Sequence, residues 1–150
     1  MVICPASVLH NWRREAEKFT PPLTTLVLES GSARPNLRKQ IPQRDLIITN
    51  YSILRRDLEE LNKFEFSAII LDEAQYIKNP TAQVTKSVKQ LKGKRRLALT
   101  GTPLENRLLD LWSIVDFVQP NYLNNQNKFS EIYEPKGENA EVAQRIARKR

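Results

Sequence analysis

Asp72 and Glu73 are adjacent carboxylates, and the apolar run Ala68-Ile69-Ile70-Leu71 stands directly before them. An unbroken apolar run reads as a strand buried on both faces of a parallel sheet. In open α/β sheets, ligands bind just beyond the carboxyl ends of the strands. Two acids there can divide two tasks. One holds magnesium, usually through water, and the other orients or deprotonates a water attacking a γ-phosphate. A solvated acid pair ending an ordinary strand is the competing reading, and Asp-Glu after an apolar run does not separate the two. The string Asp72-Glu73-Ala74-Gln75 and the segments around it favour the chemical one.

The elements that must position this pair follow from periodicity. Residues 1–4 read as a strand cut off at its start and ended by Pro5. Ser7 is placed to cap a helix in which Val8, Leu9, Trp12, Ala16 and Phe19 recur at helical spacing, with Arg13, Arg14, Glu15 and Lys18 outward. Trp12 reads as core rather than as a stacking surface for a ligand. Pro21-Pro22 breaks that helix, residues 23–28 form the next strand, and residues 34–40 a short basic helix. A strand at 45–49 is built on Leu46-Ile47-Ile48. After Asn50 comes a helix with Tyr51, Leu54, Leu58 and Leu61 on one stripe and Arg55, Arg56, Asp57, Glu59 and Glu60 outward.

Beyond the acid pair, Asn79-Pro80 reads as a helix start, with Val84, Val88 and Leu91 inward and Lys86, Lys89 and Lys92 on the other face. Gly93 is placed to end it, and Lys94-Arg95-Arg96 leads into the strand Leu97-Ala98-Leu99. Thr102 and Glu105 have capping-box spacing, with Pro103 at the first helical position. That helix carries Leu104, Leu108, Leu111, Trp112, Val115 and Val118 and stops near Pro120. Residues 121–127 read as polar and irregular, and the charged stretch 138–150 could form a further helix. Strands alternating with helices predict an α/β fold with a parallel, doubly wound sheet of about five strands.

The composition fits. The chain has 150 residues, 40% hydrophobic and 27% charged, which describes one globular domain rather than a disordered chain. No apolar run approaches the ~20 residues a membrane helix needs, and no signal-peptide core is present. Cys4 is the single cysteine, which rules out an intrachain disulfide and a cysteine-based zinc site and suggests a reducing compartment. His10 is the single histidine. The formal net charge of +7 suits a polyanionic partner such as nucleic acid.

Four segments, in this order, resemble the Swi/Snf-type ATPases, double-stranded-DNA translocases of helicase superfamily two with a DEAD/DEAH-like acid motif. They are Cys4-Pro5-Ala6-Ser7-Val8-Leu9-His10-Asn11-Trp12, Ile48-Thr49-Asn50-Tyr51, Asp72-Glu73-Ala74-Gln75 and Leu99-Thr100-Gly101-Thr102-Pro103-Leu104-Glu105-Asn106. The resemblance runs to about Leu123. It implies a RecA-like lobe at 1–123, with 124–150 leading toward a second RecA-like lobe in cis. It implies ATP and magnesium as cofactors of the whole protein, with Asp72 and Glu73 serving the metal and the attacking water. Gln75 would face the other lobe and sense nucleotide. Thr100, Gly101 and Thr102 would couple the ATP site to DNA. Pro5, Ser7 and Asn11, and Thr49 and Tyr51, would lie along the backbone of double-stranded DNA. Chromatin or RNA polymerase would be further partners depending on the organism, in a prokaryotic cytoplasm and nucleoid or a eukaryotic nucleus.

One departure from the family pattern matters. The chain holds no Gly-x-x-x-x-Gly-Lys-Ser/Thr, the loop that cradles β- and γ-phosphates; Gly93-Lys94 lacks both the spacing and the hydroxyl residue. The sequence therefore reads as a RecA-like lobe lacking its P-loop segment, from a protein cut at both ends. Such a fragment is expected to turn over no ATP at a useful rate on its own. The alternatives are a catalytically inactive DNA-binding module and a degenerate remnant of such a protein.

Overall fold

A strand from Val2 to Cys4 (β1) lies at the centre of a five-stranded sheet, and all three of its residues are buried. The computed structural model describes residues 1–102 and 108–133. The other strands are β2 (Thr25–Leu28), β3 (Leu46–Asn50), β4 (Ile69–Leu71) and β5 (Arg96–Ala98), in the order β2-β3-β1-β4-β5. Every pairing is parallel, with Val2 beside Ile48 on one side and Ile70 on the other. After β1 the chain goes to the sheet edge for β2 and comes back to lay β3 between β2 and β1. It then crosses to the other flank for β4 and β5, so β1 is where the winding reverses. This is the α/β, parallel, doubly wound sheet that the sequence implies.

Successive strand residues face opposite sides, so the sheet has two cores. The larger one gathers Ile3, Leu28, Ile47, Leu54, Ile69, Leu71 and Phe117. Its helices include α3 (Tyr51–Arg56), α4 (Leu58–Leu61), α5 (Gln83–Gln90) and α6 (Leu108–Val118). The smaller one holds Val2, Cys4, Leu9 and Ile48 under α1 (Leu9–Phe19), with Trp12 at its margin. A short α2 (Arg34–Arg38) lies between β2 and β3, and α7 (Gln126–Tyr133) packs on α6 through buried Phe129.

Several local expectations are corrected. Ser7 caps no helix; it sits inside a 3-10 turn, Ala6–Val8, that precedes α1. The helix expected after Asn50 is broken at Asp57, which is not outward but buried. Arg34 Nε lies 3.1 Å and Arg38 Nη1 2.7 Å from its Oδ2, so α2 is pinned to the α3–α4 break by ion pairs. Asn79 makes a local turn, its Oδ1 accepting from the Thr81 amide and hydroxyl, and α5 begins only at Gln83. Gly93 does not end α5. It lies beside Phe66, where a β-carbon would come within 2.5 Å of Ile69 Cδ1. Lys89 is not a free cation on a solvated face: its Nζ is 2.7 Å from Asp116 Oδ2 and 4.9 Å from the centre of the Trp112 ring. The buried face of α6 is Trp112, Ser113, Ile114 and Phe117, while Leu108 and Val118 are exposed. Gln126 and Asn127 belong to a helix rather than to irregular chain, with Asn125 Oδ1 accepting from the Lys128 amide. The expected capping box through Pro103 and Glu105, Leu104 on the same helix, and the 138–150 helix lie outside the described residues.

Candidate active site

Asp72 and Glu73 follow the last residue of β4, at the carboxyl edge of the sheet. The chain turns there on a left-handed residue: Glu73 has φ 50° and ψ 55°. A residue with a β-carbon is strained in that region by on the order of 1 kcal/mol. The turn leads straight into a 3-10 turn, Ala74–Ile77, anchored by buried Ala74 and Ile77. The Ala74 amide also donates to the Leu99 carbonyl at 2.8 Å, which locks the acid turn to the end of β5.

Asp72 is held on three atoms. Its Oδ1 accepts from the Glu73 amide at 2.9 Å, and its Oδ2 accepts from the Trp12 indole N–H at 2.8 Å. Its main-chain carbonyl accepts from the Tyr51 hydroxyl at 2.7 Å. Tyr51 is buried, and its ring stacks on half-exposed Tyr76 with centres 4.8 Å apart and planes 1° from parallel.

Glu73 is exposed and tied to a line of hydrogen bonds. The Gln75 amide nitrogen donates to Glu73 Oε2 at 2.6 Å. Gln75 Oε1 accepts from the Thr100 hydroxyl at 2.9 Å, and that hydroxyl oxygen accepts from the Thr102 amide at 3.2 Å. The strand ends of β4 and β5 are thus joined by side chains from Glu73 to Thr100, and the Thr102 amide ends the line. Gln75 was expected to face another lobe, yet both ends of its amide are engaged within this one.

Burial and then the charge of Asp72 push the Cys4 thiol up to about 12. Burial raises the Tyr51 phenol as well, with Asp72 the next cause. Both groups therefore stay protonated at neutral pH, and Tyr51 remains a donor.

The segments assigned to DNA divide by exposure. Ser7 and Asn11 are exposed, Asn11 Oδ1 accepting from Arg14 Nη2 at 3.1 Å, and the Pro5 carbonyl accepts from the Val8 amide at 3.1 Å. Gly101 and Thr102 are exposed too. Thr49 is not available: it is fully buried, and its hydroxyl donates to the Leu28 carbonyl at 3.1 Å, fastening β3 to β2. Tyr51 is likewise turned inward, toward Asp72. The sequence reading placed both on a DNA surface because their positions match a motif. Strand alternation puts Thr49 between two packed layers instead.

Among the described residues no three His, Cys, Asp or Glu side chains gather around one point. Two hard carboxylates nonetheless fit magnesium, which keeps several waters and takes one or two protein carboxylates together with phosphate oxygens. An ionised carboxylate has about four acceptor positions. The donors on Asp72 use one on each oxygen, so both oxygens keep capacity for a cation or its waters. An open recess of about 390 Å³ lies at the opposite, amino edge of the sheet, lined by Met1, Arg44, Asp45 and Phe66 among others; Asp72, Glu73, Gln75 and Thr100 do not line it. Trp12 and Tyr76 were absent from the sequence-based site. Trp12 carried a usable signal, because a buried indole N–H needs an acceptor.

The family profile described as the SNF2-related domain matches residues 1–148. The chain is 40% identical over 149 residues to the ATP-dependent helicase MG018 of Mycoplasma genitalium, covering 99% of this chain and 14% of that protein. It is 39% identical over 134 residues to the TATA-binding protein-associated factor MOT1 of Saccharomyces cerevisiae, covering 89% of this chain and 7% of that protein. The solved SWI2/SNF2 ATPase core of Sulfolobus solfataricus in complex with double-stranded DNA superposes with a TM-score of 0.79 at 44% identity, over 87% of this chain and 27% of that one. The sheet and its helices therefore have the RecA-like fold of that core. The chain spans a small fraction of each protein it matches.

Proposed function

The chain belongs to the SNF2-related domain family, and from that premise we propose that it is the part of a Swi/Snf-type ATP-dependent DNA translocase that handles magnesium and the attacking water. The observation that carries this reading is the hydrogen-bonded line Glu73–Gln75–Thr100 beside Asp72. One acid is exposed and oriented by an amide, and the other is steadied by neutral donors. Asp72 would hold magnesium, mainly through water. Glu73 would orient a water and accept its proton, while Gln75 and Thr100 keep the carboxylate aimed. When bound, magnesium neutralises charge developing on the β- and γ-phosphates. The phosphate cradle and the charge-stabilising arginine would come from parts of the protein outside these residues.

The DNA-facing part of the proposal rests on Ser7, Asn11, Gly101 and Thr102, which are exposed, together with the net charge of +7. Hydroxyls and amides near strand ends and helix starts contact phosphates and position a protein without reading sequence. We draw the lobe as 1–123, with 124–150 leading toward a second lobe; α7 keeps residues 124–133 against the first. Duplex DNA is the proposed partner, in a nucleoid or a nucleus. Among the described residues no helix is long and apolar enough to cross a membrane.

The test is Glu73→Gln in a chain extended to include a P-loop and a second lobe. The amide keeps the shape and can still accept from Gln75, but it takes no proton. ATP binding should persist while turnover falls by about a hundred- to ten-thousand-fold. Normal turnover in the variant would remove Glu73 from this role.

A further inference from the structure

Asp72 is reached by two aromatic donors from two different strand ends. Trp12 lies on α1, which follows β1, and Tyr51 opens α3 directly after β3. The indole N–H sits on the carboxylate, and the phenol on the carbonyl of the same residue. One grips the side chain and the other the backbone that carries it. Asp72 stands just past β4, which is only three residues long, so its position is not imposed by a long strand. The Tyr51 ring is itself clamped by the stacked Tyr76 ring, and Trp12 is wedged at the edge of the smaller core.

We infer that Trp12 and Tyr51 are positioning residues for the Asp72 carboxylate, presetting its orientation toward a divalent cation. This rests on the proposed magnesium role of Asp72 and adds the residues that make it effective. The physical argument is that a free carboxylate rotates, and binding a cation must then stop that rotation. The Trp12 indole on Oδ2 and the Glu73 amide on Oδ1 stop it beforehand and leave acceptor positions open on both oxygens, while Tyr51 fixes the main-chain carbonyl of the residue that carries the carboxylate. Outer partners that orient a metal ligand typically change metal affinity by about ten- to a hundredfold when removed. The Trp12 contact also joins the acid to α1, which carries exposed Asn11 and follows the turn that holds exposed Ser7. A shift of α1 would therefore reach Asp72 through one side chain.

The experiment measures binding of Mn²⁺ to the 150-residue chain by the electron-spin signal of the free ion. Trp12→Phe removes the indole donor, and Tyr51→Phe removes one oxygen while keeping the stack on Tyr76. Each should weaken Mn²⁺ binding by about tenfold. Trp112→Phe, whose indole donates to the Asn124 carbonyl instead, should leave it within about twofold. In the wild type, the Trp12 indole N–H signal in a ¹H–¹⁵N spectrum should move on Asp72→Asn while that of Trp112 stays in place. If Trp12→Phe fails to fold, Tyr51→Phe carries the test. Mn²⁺ bound through Asp72 but unchanged in affinity by both aromatic variants overturns the positioning role, whatever happens to their melting temperatures. Mn²⁺ that binds equally well to Asp72→Ala overturns the magnesium reading of Asp72 and this inference with it.

Discussion

Asp57 and Asp72 are the same side chain set among opposite kinds of partner. Asp57 is 4% exposed, and its charge is answered by Arg34 and Arg38. Asp72 is half-buried, and the donors to its carboxylate are an indole and a backbone amide, both neutral. An acid matched by cations acts as a fastener between elements, here α2 and the α3–α4 break. An acid steadied by neutral donors keeps its full negative charge for a cation that arrives from outside. The partner set, not the residue type, separates the two roles.

The sharpest way to break this comparison is to neutralise each aspartate. In the extended, two-lobed chain, Asp72→Asn should lower ATP turnover by about a hundredfold or more, while unfolding in urea shifts by less than about 1 kcal/mol. Turnover that survives would make Asp72 a second fastener. Asp57→Asn should do the reverse. Removing the acid leaves Arg34 and Arg38 without their partner, and breaking a buried pair costs about 3–5 kcal/mol; both arginines are about one-fifth exposed, so a loss nearer 2–3 kcal/mol is expected. Mn²⁺ affinity should stay within about twofold of wild type.

A smaller effect concerns the cations on the surface. The chain should bind duplex DNA without sequence preference and with a dissociation constant between roughly 1 µM and 0.1 mM, weakening steeply with salt. Lys89 is spent on Asp116, so Lys86 and Lys92 are the members of that lysine face to replace when testing bulk charge. Ser7→Ala with Asn11→Ala tests the strand-end surface, and buried Thr49 is left out of it. An affinity indifferent to salt would sink the backbone-tracking reading.

A further effect is alkaline. Burial and the charge of Asp72 push the Cys4 thiol from its ordinary value near 9 up to about 12. Above pH 9 the unfolded chain releases this proton while the folded chain keeps it. Stability should therefore fall as pH rises from 9 to 12, and no such term exists below 9. Asp72→Asn should shift the titration of Cys4, followed by its Cβ chemical shift in the folded chain, to lower pH; Asp57→Asn should not. Equal midpoints in the two variants would show that the charge of Asp72 does not reach the thiol.

The strands were legible because their apolar runs are short, continuous and spaced by helical patterns. The place of the acid pair at a strand end was legible because an unbroken apolar run stands directly before it. Asp57 was not legible: helical periodicity put it on the polar stripe, and its partners lie on a separate helix across a strand. Thr49 was misplaced for a related reason, since a motif match says where a residue sits in the chain and not which layer covers it. Trp12 was read as half of what it is. Its spacing shows the apolar body, but only the fold brings the N–H to Asp72, sixty residues away. The start of α7 was hidden inside a run of asparagines, although Asn125 is a good cap.

At Glu73 the interests of the fold and of the proposed chemistry diverge. Glycine would take the left-handed turn without strain, and asparagine with less. Asp72 has no such conflict, because its backbone is not left-handed and its oxygens are held by Trp12 and the next amide. Drift in a lineage released from handling phosphate should therefore wear away the second codon of the pair before the first.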